Sequence, residues 1–233
     1  MLAKTRKYLR DQGPLFGKDK DIAAIRREKL TYLDYPAMAD IRSAVERLES
    51  EGITGSILEA GCALGGSAVL MAKAKSPSRA LQVYDVFGMI PPPGDNDDKD
   101  VHDRYQTIVE GESKGIAGDT YYGYEKDLYA KVNQVFTRHG VTADQHNVQL
   151  IKGLFEDTLH PNGPVALAHI DCDWYDSVMV CLERIAPHMP RGGRFIMDDV
   201  GFWSGADHAV DDFLKGRTDF KREQHARLHL VKQ

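Results

Sequence analysis

The chain has 233 residues, 42% of them hydrophobic and 28% charged, the make-up of an ordinary globular protein long enough to bury a real core. A formal net charge of −5 and a pI near 6.0 give no overall pull toward nucleic acid or an anionic membrane. No run reaches the roughly 18 apolar residues of a membrane span, and no N-terminal stretch has the apolar centre of a signal peptide.

Residues 1 to about 20 are basic and weakly patterned (Lys4, Arg6, Lys7, Arg10) and read as an arm. Ile22 to Leu30 reads as a helix. A second helix is expected from Ala37 to Glu51, where Met38, Ile41, Val45 and Leu48 form a stripe suited to a sheet or a partner subunit. We therefore expect an arm and helix over 1–36 and one domain over 37–233. Ser56 to Ala60 is a short strand that runs into Gly61-Cys62-Ala63-Leu64-Gly65-Gly66-Ser67, and a helix from Ala68 to Lys75 follows. Glycines at a strand-to-helix turn let the backbone approach a ligand, and the helix N-terminus offers N–H groups. A plain tight turn would look the same, and the spacing is not that of the Gly-x-Gly-x-x-Gly dinucleotide fingerprint. The next strand, Ala80 to Tyr84, ends at Asp85, placed to accept from both hydroxyls of a ribose. That suits an adenosine-containing cofactor without saying which.

From Phe87 to about Gly123 the alternation breaks down, with Pro91-Pro92-Pro93-Gly94, an acidic run from Asp95 to Asp100 and a glycine-containing stretch. An irregular insertion over about 88–123 is expected to be a lid, its acidic run a solvated face. Tyr121, Tyr122 and Tyr124 either pack on a ligand or anchor the loop. A helix is expected from Tyr124 to His139 and a third strand from Asn147 to Ile151. Gly153 and Phe155 then stand where they could flank an adenine, although Phe155 fits a core position equally well. Val165 to Ile170 and Arg194 to Met197 read as buried strands, with helices at Tyr175 to Ala186 and Ala206 to Lys215. Phe220 to Arg222 and Ala226 to Val231 read as a closing antiparallel pair. Cys62, Cys172 and Cys181 have neither zinc-ligand nor redox spacing, so reduced thiols in a cytoplasmic protein are expected.

The fourth and fifth strands both end in acid, at Asp171 and Asp173 and at Asp198 and Asp199. Ligands of open α/β sheets bind at such strand ends. Two unit charges about 5 Å apart repel by roughly 3 kcal/mol at an effective dielectric of about 20, so a cluster needs protons, a basic partner or a metal ion. Neither acidic end carries a Lys or Arg, which favours a metal. All-oxygen ligands suit Mg²⁺, Mn²⁺ or Ca²⁺ better than zinc.

The runs Ile57 to Ser67, Tyr84 to Met89, Gly153 to Leu159, Asp171 to Ser177 and Gly192 through Asp199, in this order, resemble the macrocin O-methyltransferase family, which includes mycinamicin and novobiocin sugar O-methyltransferases. The likeness covers roughly Thr31 to the C-terminus. It implies a Rossmann-like class I methyltransferase fold, a mostly parallel seven-stranded sheet with helices on both faces and an antiparallel C-terminal strand. It also implies S-adenosylmethionine bound by Glu59, Gly61, Ser67, Asp85, Phe87, Gly153, Phe155 and Asp171. By the same resemblance Asp171, Asp198 and Asp199 match ligands of Mg²⁺ (or Mn²⁺), and Asp173 matches the general base. The implied acceptor is a hydroxyl of a sugar or glycosylated natural product, and the implied assembly a homodimer. The turn reads Cys62-Ala63-Leu64 where relatives often carry a basic residue.

Asp173 would take the proton of an acceptor hydroxyl acidified by the metal, or else serve as a fourth ligand; His169 and His208 are alternative bases. A catechol-like vicinal diol suits the same metal. The rivals are a dehydrogenase, disfavoured by the missing fingerprint, a metal hydrolase, which leaves the glycine turn and Asp85 idle, and a non-catalytic metal- or sugar-binding scaffold.

Overall fold

The computed structural model describes residues 19–233, so the expected basic arm lies almost wholly outside the described residues. Five strands, β1 (Ser56–Ala60), β2 (Leu81–Asp85), β3 (Val148–Lys152), β4 (Val165–Ile170) and β5 (Arg194–Met197), pair in parallel. A hairpin of β6 (Phe220–Gln224) and β7 (Leu228–Lys232) completes the sheet, β7 running antiparallel beside β5, in the order β3-β2-β1-β4-β5-β7-β6. β4 and β5 are buried at every position, because helices cover both faces of the sheet; hence their unbroken apolar runs.

One face packs on α1 (Lys20–Arg27), α2 (Tyr35–Ser50), α3 (Gly66–Ala74) and α5 (Leu128–Arg138), with Ile22, Ile41, Met71 and Val132 fully buried in one apolar cluster. Ile22 and Ile25 of α1 belong to that same core. α2 begins at Tyr35, two residues before the expected Ala37. Pro36 fits a first helical turn, where its missing N–H is not needed, and Asp34 caps the helix by accepting from the Ala37 N–H at 2.9 Å. The other face packs on α8 (Tyr175–Ile185) and α9 (Ser204–Leu214), with the short turns α6 (Ala143–His146) and α7 (Phe155–Thr158) beside the sheet.

The insertion is more ordered than its composition suggests. It contains α4 (Lys99–Val109), which the acidic start obscured because only Val101 and Ile108 of this helix are buried. Nor is the acidic run wholly solvated. Asp97 is buried and accepts from the Tyr175 N–H at 2.9 Å and the Gly94 N–H at 3.0 Å, tying the insertion to the start of α8. Trp174 donates through Nε1 to the Pro91 carbonyl at 3.0 Å, a second tie. Tyr124 anchors the far end by donating to the Ile108 carbonyl at 2.6 Å. It sits in a 3₁₀ turn, so α5 starts later than expected, at Leu128, capped by Asp127.

Because β1 lies between β2 and β4, the winding of the sheet reverses there, and a crevice opens at the carboxyl ends of the strands.

Candidate active site

The parallel ladder continues one residue past the strand ends. Gly61 donates to the Tyr84 carbonyl, Asp171 to that of Ala60 and Asp198 to that of Ile170, each at 2.9 Å. Three chain segments far apart in sequence thus enter the crevice in one row. Gly61 has φ +86°, and a Cβ there would lie 2.0 Å from the Asp171 carbonyl oxygen; only glycine fits.

Asp85 holds the glycine turn in place. One carboxylate oxygen accepts from the N–H groups of Cys62 (2.8 Å) and Ala63 (3.2 Å), the other from that of Phe87 (2.6 Å). Burial pushes its pKa up from the ordinary carboxylate value, against the pull of those N–H groups.

Two clefts open on this row. The smaller, about 500 Å³ including its mouth, is lined by Gly61, Asp85, Val86, Gly88, Ile90, Pro91, Leu154, Phe155, Glu156, Cys172 and Ser177. The larger, about 1110 Å³ with its mouth, is walled by Tyr32, Ile108, Ile116, Tyr121, Trp174, Phe202 and Trp203, with Asp34, Arg104, Lys114, Asp198 and Arg227. Asp171, Asp173 and Tyr122 line both. Burial raises the phenol pKa of Tyr122 well above the ordinary tyrosine value, with Tyr121 and Asp173 adding to the shift. Asp173 has φ 62°, a left-handed backbone that a non-glycine residue adopts at a cost, and its N–H donates to Asp199 Oδ2 at 2.9 Å.

Of the residues expected around the cofactor, Gly61, Asp85, Phe155 and Asp171 line the smaller cleft. Glu59, Ser67, Phe87 and Gly153 line neither cleft. Glu59 is fully buried against His169, and Ser67 is buried in the first turn of α3. Phe87 packs edge-on against Tyr129 at 5.0 Å. A Cβ on Gly153 would meet Thr158 Cγ2 at 2.6 Å, so this glycine permits the turn into α7. His169 is shut away from both clefts, and His208 lies on α9 beside Asp98, also outside them.

Asp171, Asp198 and Asp199 bring carboxylate oxygens within 4.8 Å of one another. The cluster also has the basic partner that its own segments lack. Arg227 donates through Nε to Asp198 Oδ1 at 2.5 Å, and its Nη1 lies 3.8 Å from Asp34 Oδ1. The preference for a metal rested on the absence of Lys or Arg from those two segments; Arg227, from outside them, supplies one positive charge. Burial works against the Arg227 charge, but Asp198, Asp34 and Asp171 outweigh it and raise its pKa. The register carries a signal that could have found it: with Met197 opposite Leu228, the next step sets Asp198 opposite Arg227. Three formal negative charges less one positive leave two. Oxygens around an ion at about 2.1–2.5 Å span about 4–5 Å across it, so the donor set fits a hard dication in charge, chemistry and spread.

The macrocin-O-methyltransferase (TylF) family matches residues 30–221. The chain belongs to that family. It is 29% identical over 209 residues to the 8-demethyl-8-(2,3-dimethoxy-alpha-L-rhamnosyl)-tetracenomycin-C 4'-O-methyltransferase of Streptomyces olivaceus, covering 87% of this chain and 72% of that protein. It is 27% identical over 192 residues to demethyldecarbamoylnovobiocin O-methyltransferase of Streptomyces niveus, covering 78% and 67%. The solved O-methyltransferase NovP has the same fold, with a TM-score of 0.71 at 22% identity over 88% of this chain and 81% of that one. The chain is thus an S-adenosylmethionine-dependent O-methyltransferase of the class I fold, as its resemblance to that family led us to expect. No helix among the described residues is long and apolar enough to cross a membrane.

Proposed function

We propose that this methyltransferase acts on a sugar hydroxyl of a glycosylated natural product, with Mg²⁺ or Mn²⁺ held by Asp171, Asp198 and Asp199. The observation that carries the reading is the shared wall of the two clefts, where Asp171, Asp173 and Tyr122 stand between a cofactor-sized chamber and a larger aromatic one. The relatives named above, by their names, methylate a rhamnosyl-tetracenomycin and demethyldecarbamoylnovobiocin.

In this reading the smaller cleft would hold S-adenosylmethionine, with Asp85, Leu154 and Phe155 among the residues available to it, and the cofactor would supply a methyl group that is already electrophilic. A dication at the three carboxylates supplies Lewis acidity that lowers the pKa of a hydroxyl beside it. The chain's own work is positioning and proton removal. Tyr32, Tyr121, Trp174 and Phe202 give the larger cleft apolar faces for the C–H side of a sugar ring, and they keep water from the reacting oxygen. Asp173 accepts the hydroxyl proton. Its N–H bond to Asp199 fixes the loop that carries it, so its carboxylate need not leave the wall common to both clefts.

Turnover of labelled methyl donor with a glycoside acceptor, measured with and without chelator, tests this. Loss of product on chelation and recovery with Mg²⁺ are expected; full turnover in excess chelator would rule the ion out. Asp173→Asn is expected to keep S-adenosylhomocysteine binding and lose about 10²–10⁴-fold in kcat. Aromatic walls also suit a planar ring, so a catechol is the second acceptor to try. A homodimer and a cytoplasmic location are carried over from the family and the cysteine chemistry; light scattering checks the first.

A further inference from the structure

We propose that Arg227 is the built-in counter-ion of the acidic cluster: it holds Asp198 in place when no dication is bound, and it weakens the cluster's grip on one. This rests on reading Asp171, Asp198 and Asp199 as a cation site.

The guanidinium is fixed from several sides. Besides the Nε bond to Asp198 at 2.5 Å, Nη1 donates to the Ala226 carbonyl at 3.1 Å, and the group lies over the Phe202 ring at 5.3 Å. The Arg227 backbone N–H donates to Asp40 Oδ2 at 3.3 Å, and the residue is only 7% exposed. A charge so placed is poorly screened by salt. Three carboxylates brought within 4.8 Å repel one another, and alone they would spread or take up protons. Arg227 removes that pressure. It also occupies a lone pair of one ligand and leaves a fixed positive charge beside the place a dication would take. The result is a site shaped in advance and looser than three free carboxylates would make it.

Calorimetric titration of Mn²⁺ and of Mg²⁺ into the wild type, Arg227→Gln and Arg227→Lys tests this, with thermal melts of each protein with and without ion. Arg227→Gln is expected to bind the ion about tenfold tighter or more, the effect of removing one poorly screened unit charge. It should also melt lower than wild type without ion and gain more from ion addition. Arg227→Lys keeps the charge and should stay within about threefold of wild type, since a charge rather than a hydrogen-bond fork sets the affinity. Equal or weaker binding by Arg227→Gln overturns the counter-ion role and leaves the cation site standing. If none of the three proteins binds either ion, the cation site falls and the proposal with it. Should Arg227→Gln not fold, the Arg227 Nε–H resonance of the ¹⁵N-arginine-labelled wild type replaces it: the signal should move as ion is added, and no movement at saturation overturns the proposal.

Discussion

His169 Nδ1 lies 3.0 Å from Glu59 Oε1, in a pair that solvent does not reach, linking β1 to β4 directly behind the crevice. Removing one member of such a pair strands the other in the sheet. Glu59→Leu is expected to lower unfolding free energy by about 1–3 kcal/mol, the cost of a buried polar group left without its partner, and the double variant with His169→Leu to recover most of it. Urea denaturation of the two variants checks this. A double variant no more stable than the single would show that the pair contributes more than satisfying each other's hydrogen bond.

Gly61→Ala would drive a methyl group into the Asp171 carbonyl while the backbone needs φ +86°. Overpacking and left-handed strain together are expected to cost about 2–4 kcal/mol. The Asp171 loop must shift to admit the methyl, so S-adenosylhomocysteine affinity should fall as well. Thermal melts with and without that product read both effects.

Asp85→Asn keeps the shape of a side chain that accepts from three backbone N–H groups but turns one acceptor into a donor. At least one buried N–H loses its partner, at about 1–3 kcal/mol. Cofactor affinity is expected to weaken by about tenfold or more, because the turn that Asp85 braces lines the same cleft. Calorimetry with S-adenosylhomocysteine decides; unchanged affinity would show that the turn keeps its shape unaided.

Burial holds the Lys75 ammonium down to about 8, while its Nζ donates to the His146 carbonyl. Its unfolded value is about 10.4, so between pH 8 and 10 the unfolded chain binds more of this group's protons and the stability it contributes rises with pH. Lys75→Met should lack that rise. Burial raises the Cys62 and Cys172 thiols, which opposes that contribution from about pH 8.5, and pushes Tyr32 up to about 12 and Tyr121 higher still, which opposes it above about pH 10, so the Lys75 contribution is read as the difference between the two proteins. Urea midpoints of both proteins from pH 7 to 10 give the comparison; parallel curves would refute the assignment to Lys75.

How much of this was legible depends on whether the signal is local. The strands, the glycine turn and the acids at the ends of β4 and β5 lie within short runs whose apolar pattern and final residue fix their reading. The partner of Asp198 was not visible locally, because Arg227 reaches it only through the pairing of β7 with β5. The helix α4 was lost for a different reason: an insertion that packs on few apolar residues shows little periodicity, so its acidic start read as loop. Glu59 precedes the glycine turn, where resemblance suggests a role at the cofactor, and the structure sets it opposite His169 on β4, buried and outside both clefts.

The thin partition formed by Asp171, Asp173 and Tyr122 has a use in inhibitor chemistry. One compound that tethers an adenosine-like head to a hexose through a short linker would thread from one chamber to the next. It would engage both without the entropy of gathering two molecules, so its binding should exceed that of either half by far more than their contacts suggest.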